Sequence, residues 1–255
     1  MKDMKKVSII ILTYNAHRFV KHTLDTLRKT DYQNKEIIVF DNNSNESTKK
    51  LLSKYYNAGI IDKLIFSKEN LMFINGNNEA VKYCDKDTDY VLLLNADVEI
   101  RNKYWLQALC NIHTRGITAT HRSSTVDNRP DGWCVLVDYD LYCKYKLDGE
   151  KFDVFWSVSD LGAKIQNDGE VQTIVHYDNF IKHFGHASGP FKSDFKRDSH
   201  VTEEDVHSWF KRPCKLIDRL DVDPKGRVSN NYLFYMYNYT RKAVKKIKIL
   251  ISRNQ

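Results

Sequence analysis

No run of about twenty apolar residues occurs in this 255-residue chain, so no transmembrane helix is expected from it. Paired cysteines are missing too. Cys84, Cys110, Cys134, Cys143 and Cys214 are scattered, odd in number and never spaced Cys-x-x-Cys, which argues against a disulfide framework or a zinc site and for a reducing cytoplasm. There is no Gly-x-Gly-x-x-Gly, which disfavours a dinucleotide-dependent dehydrogenase, and no Gly-rich phosphate loop follows the first apolar run, which disfavours a sugar nucleotidyltransferase. The N-terminus only imitates a secretory signal: the basic start at Met1–Lys6 leads into a very short apolar run, Val7–Leu12, and then Thr13-Tyr14-Asn15 instead of a small-residue cleavage site. No recognised nucleic-acid module is present, so no nucleic-acid partner is expected.

What the chain does have is a basic excess, a net charge of +7, which calls for anionic partners. It also has a repeated pattern of apolar runs that end in polar residues. Tyr90-Val91-Leu92-Leu93-Leu94 is the clearest, a continuous apolar run that stops at Asn95-Ala96-Asp97, as a strand buried on both faces of a parallel sheet would. Val7–Leu12 ends in Thr13-Tyr14-Asn15 and precedes Phe19, Val20, Leu24 and Leu27 at helical spacing, with Asn15 as the expected N-cap. Lys35–Phe40 ends in Asp41, and the polar Asn42–Thr48 leads into a helix around Lys49–Tyr56. Ile60–Phe66 and Phe73–Tyr83 complete a third strand and helix. Four such units predict a mostly parallel sheet with right-handed crossovers.

Ligands of such sheets sit beyond the carboxyl ends of the strands. Asn95 and Asp97 offer two hard oxygen donors on alternate residues, suited to a hydrated divalent cation, Mg²⁺ or Mn²⁺, that carries a diphosphate. Asp41 can accept from a base imide or a ribose hydroxyl, with Thr13 and the backbone at Tyr14 holding the ring. Asparagine is a poor helix former, so its density in Asn70–Ala80, at a helix start, points to side chains aimed at a ligand or at the backbone.

The stretches Val7–Ala16, Glu36–Thr48, Asn70–Ala80 and Tyr90–Ile100, in that order, resemble the N-terminal half of a glycosyltransferase of family 2, including its rhamnosyltransferase-like members. The resemblance implies an α/β GT-A fold: a Rossmann-like, mostly parallel central sheet flanked by helices. It makes Thr13, Tyr14, Asn15, Asp41, Asn70, Gly76, Asn77, Asn78 and Asn95 the nucleotide-binding set, and Asn95-x-Asp97 the counterpart of an Asp-x-Asp metal motif. This chain departs from the pattern with Asn95 for aspartate and with Met72 and Ala80 at usual glycine positions.

By the same resemblance Asp131–Val137 is the strand lining the acceptor side, with Trp133 and Trp156 as acceptor-binding aromatics. Lys151–Ile165 corresponds to the segment that supplies the catalytic base. Its usual Glu-Asp pair falls on Ser157 and Val158, leaving Asp160 as the candidate; Glu204 and Asp205 are the competitors, set aside because they follow the histidine-containing strand and sit as a helix first turn should. His183 would complete the metal or diphosphate site with Asp97, His186 being the alternative.

From Asn230 the chain turns aromatic, and Arg241–Arg253 is basic with no acidic residue. Ala243, Val244, Ile247, Leu250 and Ile251 share one helical face and Arg241, Lys242, Lys245, Lys246 and Lys248 the other. That composition suits an interfacial helix on anionic lipid, a packing helix in a homo-oligomer, or a solvated tail. The expectation is a GT-A domain over 1–215, with a nucleotide-sugar half (1–100) and an acceptor half (101–215), followed by a C-terminal helical tail over 216–255. The expected activity is transfer of a hexosyl or deoxyhexosyl unit, with inversion, from a nucleotide-diphosphate sugar of the UDP or dTDP type to a glycan or lipid-linked acceptor, in surface-glycan assembly at the inner face of the cell membrane. The alternative is a nucleotide-sugar-binding scaffold without catalysis.

Overall fold

The computed structural model describes residues 4–120, 129–154, 156–176, 179–185 and 198–228. Strand β1 (Val7–Thr13) carries β-branched residues at nearly every position, and its side chains alternate between two cores. Ile9 and Ile11 face the helices α1 (His17–Leu27) and α2 (Glu46–Asn57), while Ile10 faces α3 (Met72–Val81). A strand covered on both faces needs apolar residues throughout, which is the pattern read in the sequence.

Strands β2 (Lys35–Asp41) and β3 (Lys63–Phe66) extend the sheet on one side of β1, and β4 (Tyr90–Leu94) pairs with its other side. All these pairings are parallel. The chain therefore reverses its direction of travel across the sheet between β1 and β4, the topological switch point where a crevice opens.

Beyond β4 the sheet becomes mixed. Strand β7 (Asp131–Asp138) runs antiparallel to both β4 and β6 (Gly116–Thr120), and β8 (Val171–Val175) and β10 (Lys215–Ile217) then add in parallel to β6. The eight strands lie in the order β10-β8-β6-β7-β4-β1-β2-β3. A separate two-stranded ladder joins β5 (Val98–Ile100) to β9 (Ile181–His183), antiparallel, with Val98 opposite His183. Helix α4 (Trp105–Ile112) shares the face of α1 and α2. The other face is covered by α3, α5 (Tyr139–Tyr145), α6 (Ser157–Asn167) and α7 (Glu203–Trp209), giving three layers.

Several boundaries differ from the sequence reading; the third strand begins at Lys63, not Ile60, and the third helix ends at Val81, not Tyr83. Asn15 does not cap α1: it sits at φ 51°, and the N-cap position falls to Ala16, with no side-chain hydrogen bond. Residues 216–228, grouped with the tail on sequence, pack on the domain. Leu216 and Ile217 are part of β10, Leu220 and Val228 are buried, and the Val228 N–H donates to the Arg101 carbonyl. The basic stretch Arg241–Arg253 lies outside the described residues, as does His186. Among the described residues no helix is long and apolar enough to cross a membrane.

Candidate active site

Parallel pairing brings three of the polar strand ends together. Thr13 is level with Asp41 across β1 and β2. On the other side Ile10 is level with Leu93, so the Asn95–Asp97 segment leaves the sheet beside Leu12 and Thr13. Thr13 and Asp41 are almost fully enclosed, at 1% and 0% exposure, yet Thr13 Oγ1 and Asp41 Oδ1 have no hydrogen-bond partner. Buried polar atoms are nearly always paired, and one left open at a strand end suits a group that arrives with the ligand. The other Asp41 oxygen, Oδ2, accepts the Ser44 N–H at 2.9 Å. Burial pushes the Asp41 carboxyl above its ordinary pKa, opposed by the hydrogen bonds from Ser44.

The turns after β1 and β2 are stitched together. The Asn15 N–H donates to Ser44 Oγ (2.8 Å), and Asn15 Oδ1 accepts the Asn45 N–H (2.7 Å). Asn15 is thus a brace of the rim, and Tyr14 beside it is exposed at the mouth. A second latch runs from Asn42 to the start of α3: its Oδ1 accepts the Leu71 N–H, and its Nδ2 donates to Asn70 Oδ1 and to the Met72 carbonyl. Asn70 Oδ1 also takes the Met72 N–H. These bonds hold Met72 at φ 61°, a left-handed conformation that is costly for a bulky residue. Asn42, Ser44 and the latch were not singled out in the sequence, where a run of Asn and Ser reads only as a turn.

The other asparagines of α3 look elsewhere. Asn78 Nδ2 donates to the Leu147 carbonyl, while its Oδ1 accepts the Tyr142 hydroxyl and the Leu147 N–H. Asn77 Nδ2 donates back to the Phe73 carbonyl. These bonds tie both side chains to the fold. Gly76 is likewise a packing residue: a Cβ there would come within 2.7 Å of Leu12 Cδ1, so glycine lets α3 lie close on β1.

On the β4 side, His183 Nε2 is 3.1 Å from Asp97 Oδ1 and 3.3 Å from Asn95 Nδ2. The β5–β9 ladder creates this meeting, reinforced by the Phe184 N–H donating to the Asp97 carbonyl at 3.0 Å. The His183 ring stacks on Trp133, centroids 5.0 Å apart and planes 2° from parallel. Trp133 is therefore a buried backing for the histidine, not a face open to a sugar. Trp156 is equally enclosed, with its indole N–H donated to the Asp198 carbonyl, so the acceptor role read for either tryptophan is not what the structure displays.

Carboxylate, imidazole and, with its side chain turned over, the Asn95 amide oxygen form a donor set that fits a hard divalent ion. Such an ion completes its shell with diphosphate oxygens and water. Among the described residues no group of three or more His, Cys, Asp or Glu side chains gathers around a metal position.

Asp160 occupies a different environment. It is buried one turn into α6, with Oδ1 3.0 Å from Lys151 Nζ and Oδ2 2.7 Å from Lys164 Nζ. A general base must lie within about 2.6–3.2 Å of the proton it removes. Oδ1 accepts from Lys151 Nζ, while Oδ2 pairs with Lys164 Nζ by charge but has no hydrogen-bond partner, and the carboxyl braces α6 against the 148–151 turn. Glu203, Glu204 and Asp205 open α7 behind Thr202, and Asp205 completes a reciprocal capping box with it, as the helix-start reading expected.

Comparison with known proteins bears on the same residues. The amylovoran biosynthesis glycosyltransferase AmsB of Erwinia amylovora is 31% identical over 101 residues, 39% of this chain and 33% of that protein. The chain spans a third or less of the length of the curated relatives it matches. Among solved structures, the mannosyltransferase PcManGT from Pyrobaculum calidifontis, in complex with GDP-Man and Mn²⁺, superposes with a TM-score of 0.59 at 16% identity, over 70% of this chain and 56% of that one. S. aureus TarS 1-349 in complex with UDP-GlcNAc does so with a TM-score of 0.56 at 17% identity, over 73% and 61%. These likenesses identify the fold as GT-A. The profile of Glycosyl transferase family 2 matches residues 8–146, more than half of the chain and the part that carries Thr13, Asp41 and Asp97, and the protein belongs to that family.

Proposed function

We propose that this protein transfers a sugar, with inversion, from a nucleotide-diphosphate sugar of the UDP or dTDP type to a glycan or lipid-linked acceptor in surface-polysaccharide assembly. The observation that carries this reading is the pair of unpartnered buried atoms, Thr13 Oγ1 and Asp41 Oδ1, one strand away from the Asp97–His183 pair. One end of the crevice accepts the imide N–H of a pyrimidine base, and the other presents ligands suited to a diphosphate and its cation. Tyr14, exposed at the rim, is placed to cover the base.

Asp97 and His183, with Asn95, would hold Mg²⁺ or Mn²⁺. When bound, that ion neutralises the charge that builds on the departing diphosphate. The solved relatives support a nucleotide-sugar donor, being complexes with GDP-Man and UDP-GlcNAc, and the AmsB relative supports a polysaccharide pathway. The basic stretch Arg241–Arg253 supports action at the inner leaflet of a membrane.

A calorimetric titration of the full chain with UDP, dTDP and GDP, each with and without Mn²⁺, tests the reading. Binding of UDP or dTDP that strengthens with Mn²⁺ is expected; no heat from any of the three overturns it. A scaffold reading is favoured by one observation, the engagement of both Asp160 oxygens by lysines. Release of free sugar from a mixture of nucleotide sugars separates the two, since a scaffold leaves the donors intact.

A further inference from the structure

Strand β5 follows directly on Asp97 and has a partner strand, β9, on one edge. On the other edge α1 takes the place of a strand, using side chains. Thr23 Oγ1 accepts the Val98 N–H at 3.1 Å and lies 2.8 Å from the Ala96 carbonyl and 2.9 Å from the Val98 carbonyl, sharing its proton between them. Thr26 Oγ1 accepts the Ile100 N–H at 3.1 Å. His22 Nε2 stands 3.2 Å from Glu99 Oε2. All four side chains are buried.

These are unusual choices for a buried helix face. Threonine and histidine are weaker helix formers than leucine or alanine, and buried polar groups cost stability unless every one is paired. The sequence bears that local cost at three positions of one helix, all of them on the single strand that emerges from Asp97. The same helix also touches the second half of the pair. His22 packs edge-on against Phe184 (centroids 5.7 Å apart, 71°), the residue after His183, and Phe184 donates its N–H to the Asp97 carbonyl.

We infer that His22, Thr23 and Thr26 are positioning residues that set the Asp97–His183 separation, and so tune the diphosphate–cation end of the donor site. None of them touches the ligand. They fix the backbone that carries the two groups that would, and outer-shell partners of this kind typically govern ion affinity by about 10- to 100-fold. The inference rests on reading Asp97–His183 as the diphosphate end of a nucleotide-sugar site.

Thr23→Val keeps the shape of the side chain and deletes the hydroxyl; Thr23→Ser keeps the hydroxyl. The experiment measures Mn²⁺ binding by electron paramagnetic resonance in the presence of UDP, and UMP binding without metal, on the full chain. Expected for Thr23→Val is a Mn²⁺ dissociation constant raised about tenfold or more, with UMP binding unchanged because Thr13 and Asp41 are untouched, and near-normal Mn²⁺ binding in Thr23→Ser. Equal Mn²⁺ affinity in Thr23→Val and the unaltered protein overturns the inference. Equal losses in both variants, or a parallel loss of UMP binding, do the same, since they report general loosening. If Thr23→Val does not fold, Thr26→Val is read by the same criteria. Failure of the unaltered protein to bind either UDP or UMP instead removes the donor-site reading, and this inference with it.

Discussion

Replacing Asp41 by asparagine should make the free protein more stable and the nucleotide complex weaker, two effects of opposite sign from one oxygen. Asp41 is fully enclosed, its Oδ2 accepts the Ser44 N–H, and its Oδ1 is buried with no partner. A buried acceptor without a donor costs about 1–3 kcal/mol, and more when it carries charge. An amide retains one oxygen for Ser44 and removes the charge but leaves an unpaired N–H where Oδ1 stood, so Asp41→Asn should gain about 1 kcal/mol, which in a domain of this size raises the melting midpoint by roughly 2–4 °C. The pH dependence follows from the raised pKa of the Asp41 carboxyl. Well above that pKa the carboxylate is ionised in both states and the folded state carries the whole penalty. As pH falls through the folded pKa the folded state takes up a proton that the unfolded chain does not yet bind, and the penalty fades. The advantage of Asp41→Asn should therefore be largest near pH 8 and shrink toward pH 4. Binding moves the other way because an amide has a single acceptor oxygen: with Ser44 holding it, the base N–H meets no acceptor. A hydrogen bond to a charged group is worth about 1.5–3 kcal/mol, so UDP affinity should fall by roughly 10- to 100-fold. Scanning calorimetry at pH 8 and pH 5, with and without UDP, reads all three effects. A variant less stable than the original at pH 8, a gain that does not depend on pH, or undiminished UDP binding refutes the reasoning.

Three further outcomes are expected. Met72→Gly relieves a left-handed conformation worth about 1–2 kcal/mol against a glycine entropy cost of about 0.5–1 kcal/mol, and Met72 is 45% exposed and loses little packing, so a thermal scan should show a midpoint higher by about 1–3 °C. Asp160→Asn breaks a buried carboxylate away from two partly exposed lysines and should lower stability by about 1–2 kcal/mol, with UDP binding and sugar transfer retained; transfer lost at an unchanged midpoint would assign the base role to this residue. Asp97→Ala should leave UMP binding intact while abolishing the gain in UDP affinity that Mn²⁺ confers, measured by titration calorimetry; a full Mn²⁺ response in this variant would rule the carboxylate out as a ligand.

The parts of the fold that could be read from sequence are those specified locally. Val7–Thr13, Lys35–Asp41 and Tyr90–Leu94 are apolar because both faces are covered, and each announces its own end with a polar residue. That was enough to put Thr13, Asp41 and Asn95–Asp97 at one edge of a parallel sheet. The β5–β9 ladder was not legible: it pairs two three-residue strands more than 80 positions apart, and no local pattern specifies such a partner. The tryptophans and asparagines misled for a related reason. A Trp that stacks on a sugar and one that backs a histidine have the same neighbours in sequence. Asn78 sits in the middle of an asparagine-rich helix start, but its bonds run to Leu147, across the molecule. Gly76, placed with the nucleotide by the resemblance, is where α3 lies close on Leu12.

Because Asn15 is bound to both Ser44 and Asn45, the first two loops over the crevice form a single plate. Grafting a loop to change what the proposed donor site accepts must therefore transplant both turns as a matched set. A chimera carrying one foreign loop would place an unfamiliar residue opposite the Asn15 amide and open the rim along that seam.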